Sequence, residues 1–292
     1  MLKMKNRLEY ILFVLFSNIF RLFGLNISRK LAIILAALFY FLIPIRKKIV
    51  IQNLKIAFPE LSRKAVKNIT FNNYKNFAIV LIELMLIPFL SREEINRVMK
   101  KDNIEIIKNK FLENKGLITL SAHFGNWELL ASSVSSHVDV KFHIIVKSLR
   151  NPFVDKWMNS ARTKWMNEII PLGVAVRKSF QVLKEKGARA ILGDQRGPEE
   201  GIKMIFFGKE TSVYTGPAVF SLRTGAPILV VFCIRQPDYS YKIDVHEINH
   251  ENLPEDENAQ IIEITRRYIS LLEEYIKQYP EQWLWMHKRW KH

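Results

Sequence analysis

At Gly116 the sequence changes rhythm, and that change limits the folds open to the chain. From there onward short apolar runs alternate with amphipathic stretches. Residues 117–121, 140–146, 168–171, 188–192 and 228–234 read as strands, and 241–246 alternates like an edge strand. Between them helices are predicted over 127–137, 151–167, 177–186 and 215–224, with Pro152 at a first helical turn and Gly225 just past a helix end. Residues 202–207 read as an extended segment, and 259–278 as a final helix. Strand and helix in alternation predict an α/β fold: a mostly parallel central sheet flanked by helices. The first hundred or so residues show helical patterning and no strand signal. Helices are expected over 47–58, from Ser62 to about 87, from the capping-box sequence Ser91-Arg92-Glu93-Glu94, and over 103–114.

Within this frame one stretch carries chemistry: Thr119-Leu120-Ser121-Ala122-His123-Phe124-Gly125-Asn126-Trp127-Glu128. A histidine ends a strand, Gly125-Asn126 breaks it, and a carboxylate sits in the first turn of the next helix. The helix dipole favours an ionised Glu128 there. Glu128 is expected to accept the Nδ1 proton of His123 and leave Nε2 free as a base. Such a pair is a catalytic triad without its nucleophile, and it suffices if the substrate brings its own hydroxyl. A second polar loop, Gly193-Asp194-Gln195-Arg196-Gly197-Pro198, follows the strand at 188–192. Residues just past the carboxyl end of a parallel strand are well placed to line a ligand crevice, and the two loops can meet there. Ser121 lacks a Gly-x-Ser-x-Gly elbow, which counts against a serine hydrolase.

The charge balance asks for an anionic partner. The 292 residues hold 44 Lys+Arg against 28 Asp+Glu, a formal net charge of +16. No zinc-finger spacing, RNP aromatic motif or long basic helix accompanies it, so nucleic acid is not expected. A membrane surface, a phosphorylated substrate or an acidic carrier protein is. Arg162 and Arg177 lie between the two polar loops, and an arginine fork suits phosphate. The amides of Thr215-Gly216 at a helix N-terminus suit an anion as well. Cys233, the only cysteine, lies in an apolar run and is expected to fill core. The seven histidines show no metal-ligand spacing, with His287 and His292 in a basic tail, so no metal is expected.

Near the N-terminus two apolar runs, 10–20 and 31–45, are flanked by Lys3, Lys5, Arg7, Arg21, Arg29, Lys30, Arg46, Lys47 and Lys48. No small-residue cleavage site follows the first, so it is expected to be retained. Neither reaches the ~20 residues of a straight bilayer crossing. A tilted span, a dipping hairpin and helices lying in the interface all remain open, and each puts the chain at a membrane. The expected division is a membrane-anchoring region, 1–45, and a catalytic domain, 46–292, helical over 46–115 and α/β over 116–292.

His123-Phe124-Gly125-Asn126-Trp127-Glu128 closely resembles the His-x-x-x-x-Asp/Glu signature of membrane glycerolipid acyltransferases, most of all the lipid A biosynthesis (late) acyltransferases. The resemblance runs from about Pro44 to Lys291. It takes in Gly193-Asp194-Gln195, Ile205-Phe206-Phe207-Gly208, Thr215-Gly216-Pro217, Thr224-Gly225-Ala226-Pro227 and the closing Tyr279-Pro280-Glu281-Gln282-Trp283 segment. It implies His123 and Glu128 as catalytic residues, a functional Asp194, and a functional arginine best matched by Arg162, then Arg177. It also implies Gln195, Thr215 and Gly216 as substrate-binding positions and an acyl groove walled by Ile205-Phe206-Phe207. A second acidic residue common in the family is Arg196 here. The implied reaction moves an acyl chain from acyl-acyl carrier protein to a hydroxyl of a phosphorylated lipid A precursor, without a cofactor, at the cytoplasmic face of the inner membrane. Lysophospholipid acyltransferases usually carry a Phe-Pro-Glu-Gly-Thr-Arg element that this chain lacks, whereas phosphatidylinositol mannoside acyltransferases share more of its motif order. A non-enzymatic basic membrane-binding module is the remaining alternative.

Overall fold

The computed structural model describes residues 2–100 and 103–291. Helix α1, Leu2–Phe41, is really two helices meeting at Gly24, where φ is 68° and ψ 173°. Ser28 Oγ donates to the carbonyl of Phe20, in the last turn before this break, at 2.8 Å. One face of α1 packs through Phe20 and Ala32 onto Ile79, Ile82 and Leu86. The other stays exposed and apolar, with Leu8, Leu15, Leu22, Ile34 and Phe41 at its surface. The first apolar run and most of the second lie in this stretch, broken at Gly24, which by length and composition is long and apolar enough to cross a bilayer.

Helices α2 (Lys47–Ala57), α3 (Arg63–Leu86) and α4 (Arg92–Val98) follow. Ser62 caps α3, and the capping box of Ser91 and Glu94 forms as expected. A two-residue strand, β1 (Met99–Lys100), corrects the expectation of a purely helical first region. It is too short to leave a pattern. Helix α5 (Ile104–Leu112) comes next, then the alternating part: β2 (Leu117–Ser121), α6 (Trp127–Val138), β3 (Phe142–Val146), α7 (Pro152–Thr163), β4 (Glu168–Pro171), α8 (Ala175–Lys184) and β5 (Ala188–Leu192).

The extended segment expected at 202–207 is half of a hairpin, β6 (Lys203–Phe206) with β7 (Lys209–Ser212). Phe207 and Gly208, both at positive φ, make its two-residue turn. The chain closes with α9 (Gly216–Thr224), β8 (Ile228–Arg235), β9 (Tyr241–Ile248) and α10 (Glu257–Gln278).

The main sheet has seven strands in the order β1-β9-β8-β2-β5-β3-β4, parallel except for β8 against β9. On the outer side of 241–246, β1 pairs with Tyr241 and Lys242, so the start of this strand is covered. In β8 the side chains of Ile228, Val230, Phe232 and Ile234 enter the core shared with Leu54, Tyr268, Trp283 and Trp285. Leu229, Val231 and Cys233 enter the core on the opposite face, with Leu129 and Val134 of α6. Burial on both faces explains why this strand reads as an unbroken apolar run.

Candidate active site

Strands β2 and β5 are neighbours, parallel, with Ser121 paired to Leu192 at their carboxyl ends. His123 and Asp194 each follow two residues beyond those ends, so the register alone brings them together. His123 Nδ1 lies 2.8 Å from Asp194 Oδ1. The other carboxylate oxygen, Oδ2, accepts the indole N–H of Trp283 at 2.8 Å. With Nδ1 donating to a carboxylate, the free lone pair of the neutral ring is on Nε2. The side-chain amide nitrogen of Gln195 stands 3.4 Å from that atom.

Electrostatics follow the geometry. Burial alone pulls the His123 pKa down; the Asp194 charge and hydrogen bond, with a smaller contribution from Glu128, outweigh it and hold the imidazole above its ordinary value of 6.5. For Asp194 burial pushes the pKa up, and the His123 charge with the hydrogen bonds from His123 and Trp283 brings it below the ordinary carboxylate value.

The segment 282–284 fixes the histidine turn from outside. Gly125 N–H donates to the Gln282 carbonyl and Leu284 N–H to the His123 carbonyl, both at 2.9 Å. Gly125 has φ +56°, and a Cβ there would stand 1.6 Å from the Cys233 carbonyl oxygen, so only glycine fits. Asn126 Oδ1 caps α6 by accepting from Leu129 N–H at 2.9 Å, while its amide donates to Glu83 Oε2 at 2.6 Å. Fully buried Glu83 also accepts from Tyr241 at 2.5 Å and from Arg29 of α1 at 2.6 Å. The last turn of the motif is thereby tied to the apolar N-terminal helix.

Glu128 does not accept the Nδ1 proton of His123. It takes a two-pronged bond from Arg162 of α7, at 2.9 Å from Nε and 2.5 Å from Nη2. Burial opposes the Arg162 charge, and the Glu128 partner more than offsets this, so its pKa lies above the ordinary value. The reason for the correction is steric order. The first turn of α6 aims Glu128 at α7, while the neighbouring strand delivers Asp194 to the imidazole.

His123, Asp194 and Gln195 thus converge, and Glu128 with Arg162 forms an adjoining pair. Arg177 is exposed on α8, and Thr215 and Gly216 are partly exposed at the start of α9. Among the described residues no hydrogen bond or ion pair joins these three to His123. Phe206 and Phe207 pack against Trp283, Trp285 and Trp290, so they are core and do not wall a groove; Ile205 is exposed. Ser121 Oγ is spent on the Val231 carbonyl at 2.6 Å. Cys233 is fully buried. His292 lies outside the described residues.

Sequence reasoning missed Asp194 as the acid on Nδ1 and Trp283 as the donor behind it. The first had a signal, since both residues stand the same two positions past their strands. The second had none, because 89 residues separate the indole from its acceptor.

A histidine backed by a buried acid, at the carboxyl ends of two adjacent parallel strands, is an arrangement that can accept a proton from a hydroxyl. Residues 2–292 match the model of the bacterial lipid A biosynthesis acyltransferases. The chain is 24% identical over 251 residues to the lipid A biosynthesis palmitoleoyltransferase of Escherichia coli K12, covering 84% of this chain and 79% of that protein. It is 23% identical over 248 residues to the lipid A biosynthesis lauroyltransferase of the same organism, with the same coverage. To the phosphatidylinositol mannoside acyltransferase of Mycolicibacterium smegmatis it is 22% identical over 217 residues, 71% of this chain and 67% of that one. The chain belongs to the bacterial lipid A biosynthesis acyltransferase family. It is an acyltransferase, and its α1 is long and apolar enough, by length and composition, to cross a membrane.

Proposed function

We propose that this enzyme moves a fatty acyl chain from the thioester of acyl carrier protein to a hydroxyl of a phosphorylated glycolipid of the lipid A precursor type. The observation that carries the reading is the 2.8 Å bond between His123 Nδ1 and Asp194, which leaves Nε2 as the base. The acceptor hydroxyl gives its proton to Nε2, and its oxygen attacks the thioester carbonyl. The tetrahedral intermediate collapses, the C–S bond breaks, and the thiolate takes the proton back from Nε2. No acyl-enzyme forms. Asp194 holds the tautomer and steadies the transient imidazolium. Glu128 adds negative field from its place beside Arg162, and Arg162 in turn fixes Glu128. Residues 1–45 anchor the enzyme and 46–292 form its catalytic domain, at the cytoplasmic face of the inner membrane. The basic residues around both apolar runs support that orientation. The +16 charge suits both an acidic carrier and a phosphorylated acceptor.

The match to a phosphatidylinositol mannoside acyltransferase supports a second reading of the acceptor, with the same chemistry on a mannosylated phospholipid. Both are tested by offering the purified protein labelled acyl-acyl carrier protein with each acceptor and identifying the product by mass spectrometry. Transfer to the lipid A precursor that disappears in His123→Ala is expected. Transfer to neither acceptor, or transfer indifferent to His123, would overturn the proposal.

A further inference from the structure

A groove of about 440 Å³ lies between α2 and the segment 288–291. Lys55, Lys288 and Lys291 stand on its rim, and Ile49, Ile56 and Trp290 form its apolar wall. Among the described residues no carboxylate lines it. All three lysines are exposed, and among the described residues none has a hydrogen-bond or ion-pair partner. Lys110, Arg223 and Arg267, by contrast, are neutralised by glutamates. Three unpaired cations converging on one concavity form a binding surface for a compact, multiply charged anion. The volume falls in the range of small-molecule sites, and an apolar wall with a few charged groups is their usual composition.

The groove is joined to the catalytic histidine by one continuous strap. Leu284 N–H bonds the His123 carbonyl. Asn53, on the groove side of α2, donates to the Trp285 and His287 carbonyls at 2.8 and 2.7 Å. Arg46 donates to Met286 at 3.0 Å. His287 is near enough to Asp194 and His123 for their charges to act on it.

We propose that this groove binds the phosphate of the acceptor glycolipid and so selects phosphorylated over unphosphorylated acceptors. The inference rests on the glycolipid reading above. It is separable from it, because binding is measured apart from turnover. The concave shape and the strap favour the acceptor over the convex surface of a carrier protein.

The test uses the full chain in detergent micelles. Affinity for a bis-phosphorylated lipid A precursor and for its dephosphorylated form is measured by equilibrium binding, and kcat/KM is measured for both. The triple variant Lys55→Ala, Lys288→Ala, Lys291→Ala is compared with Lys64→Ala, Lys67→Ala, Lys108→Ala, which removes the same charge from exposed positions elsewhere. The unaltered protein should prefer the phosphorylated lipid by about tenfold or more, the usual value of one charge-assisted contact. The groove variant should lose that preference and the control should keep it. An unchanged preference in the groove variant, or an equal loss in both variants, overturns the proposal. A groove variant that stops binding anionic phospholipid vesicles yet keeps its acceptor preference also overturns it and assigns the groove to bilayer lipid. If no acceptor turns over but the binding preference follows the groove lysines, the glycolipid-transfer reading fails and the phosphate site stands.

Discussion

The start of α6 and the loop after β5 each place a carboxylate near His123, yet in opposite settings. Asp194 comes from a neighbouring strand, is buried, and has one oxygen on the imidazole and the other on an indole. Glu128 comes from the histidine's own motif, five positions on, and both its oxygens are taken by Arg162. The residue closer in sequence is the more distant in chemistry. Helix geometry aims a first-turn side chain outward along the helix, whereas parallel pairing sets two strand ends side by side at ~4.8 Å. A sheet therefore matches acid to base more tightly than a short turn does.

The largest break in this comparison is to remove the proposed base, His123. His123→Ala should lower acyl transfer by ~10²–10⁴-fold, the range of general-base catalysis, with an unchanged circular dichroism spectrum. Near-normal turnover in that folded variant would refute the mechanism.

Next comes the acid on Nδ1. Asp194→Asn should cost on the order of 100-fold in kcat, because the tautomer and the imidazolium lose their support. It should also move the acid limb of the rate–pH profile downward. With the carboxylate gone, burial dominates the His123 titration, so the ring loses its proton at lower pH than in the unaltered enzyme. A limb that stays in place would show that Asp194 does not set that pKa.

Glu128→Gln should have the smaller catalytic effect, about tenfold, together with ~1–3 kcal/mol of stability as the Arg162 guanidinium loses its charged acceptor. Pairing it with Arg162→Met should restore stability measured by denaturant. If turnover returns as well, Glu128 serves structure alone; if it does not, its charge acts on the reaction.

The smallest effect is the pH dependence of stability. The folded Asp194 pKa is depressed, so its contribution is full above the ordinary carboxylate value and is lost as pH falls through the folded one. The folded His123 pKa is raised, so its contribution is full below 6.5 and is lost as pH rises through the folded one. The stability gap between unaltered protein and Asp194→Asn should accordingly be widest between about pH 4 and 6.5. A gap that keeps growing above neutral pH would contradict the pairing.

Much of the α/β half could be read from sequence because its signals are local. An apolar run bounded by glycine specifies a buried strand, and β2, β5 and β8 fall where such runs lie. Ser62 and the Ser91–Glu94 box specify helix starts through bonds spanning three residues. What escaped depends on long-range partners. The hairpin of β6 and β7 hides because Phe207 occupies a left-handed position better suited to Asn or Gly. The pairing of Glu83 with Arg29 and Asn126 unites residues 54 and 43 positions apart, and nothing in a helix pattern marks a buried carboxylate as a hub. For the candidate site, His123, Asp194 and Glu128 were all visible. Which acid meets the base depended on strand order, and strand order is a property of the whole sheet.

Trp283, Gln282 and Leu284 hold a site whose other parts are made far earlier in translation. As the polypeptide emerges, His123 appears first and Asp194 follows 71 residues later, but the indole that pins the acid is a further 89 residues away. Until then the histidine turn lacks the 282–284 segment behind it and one carboxylate oxygen lacks its donor. The imidazole and its carboxylate therefore gain their full set of partners only once residue 283 has been added, long after both side chains have been made.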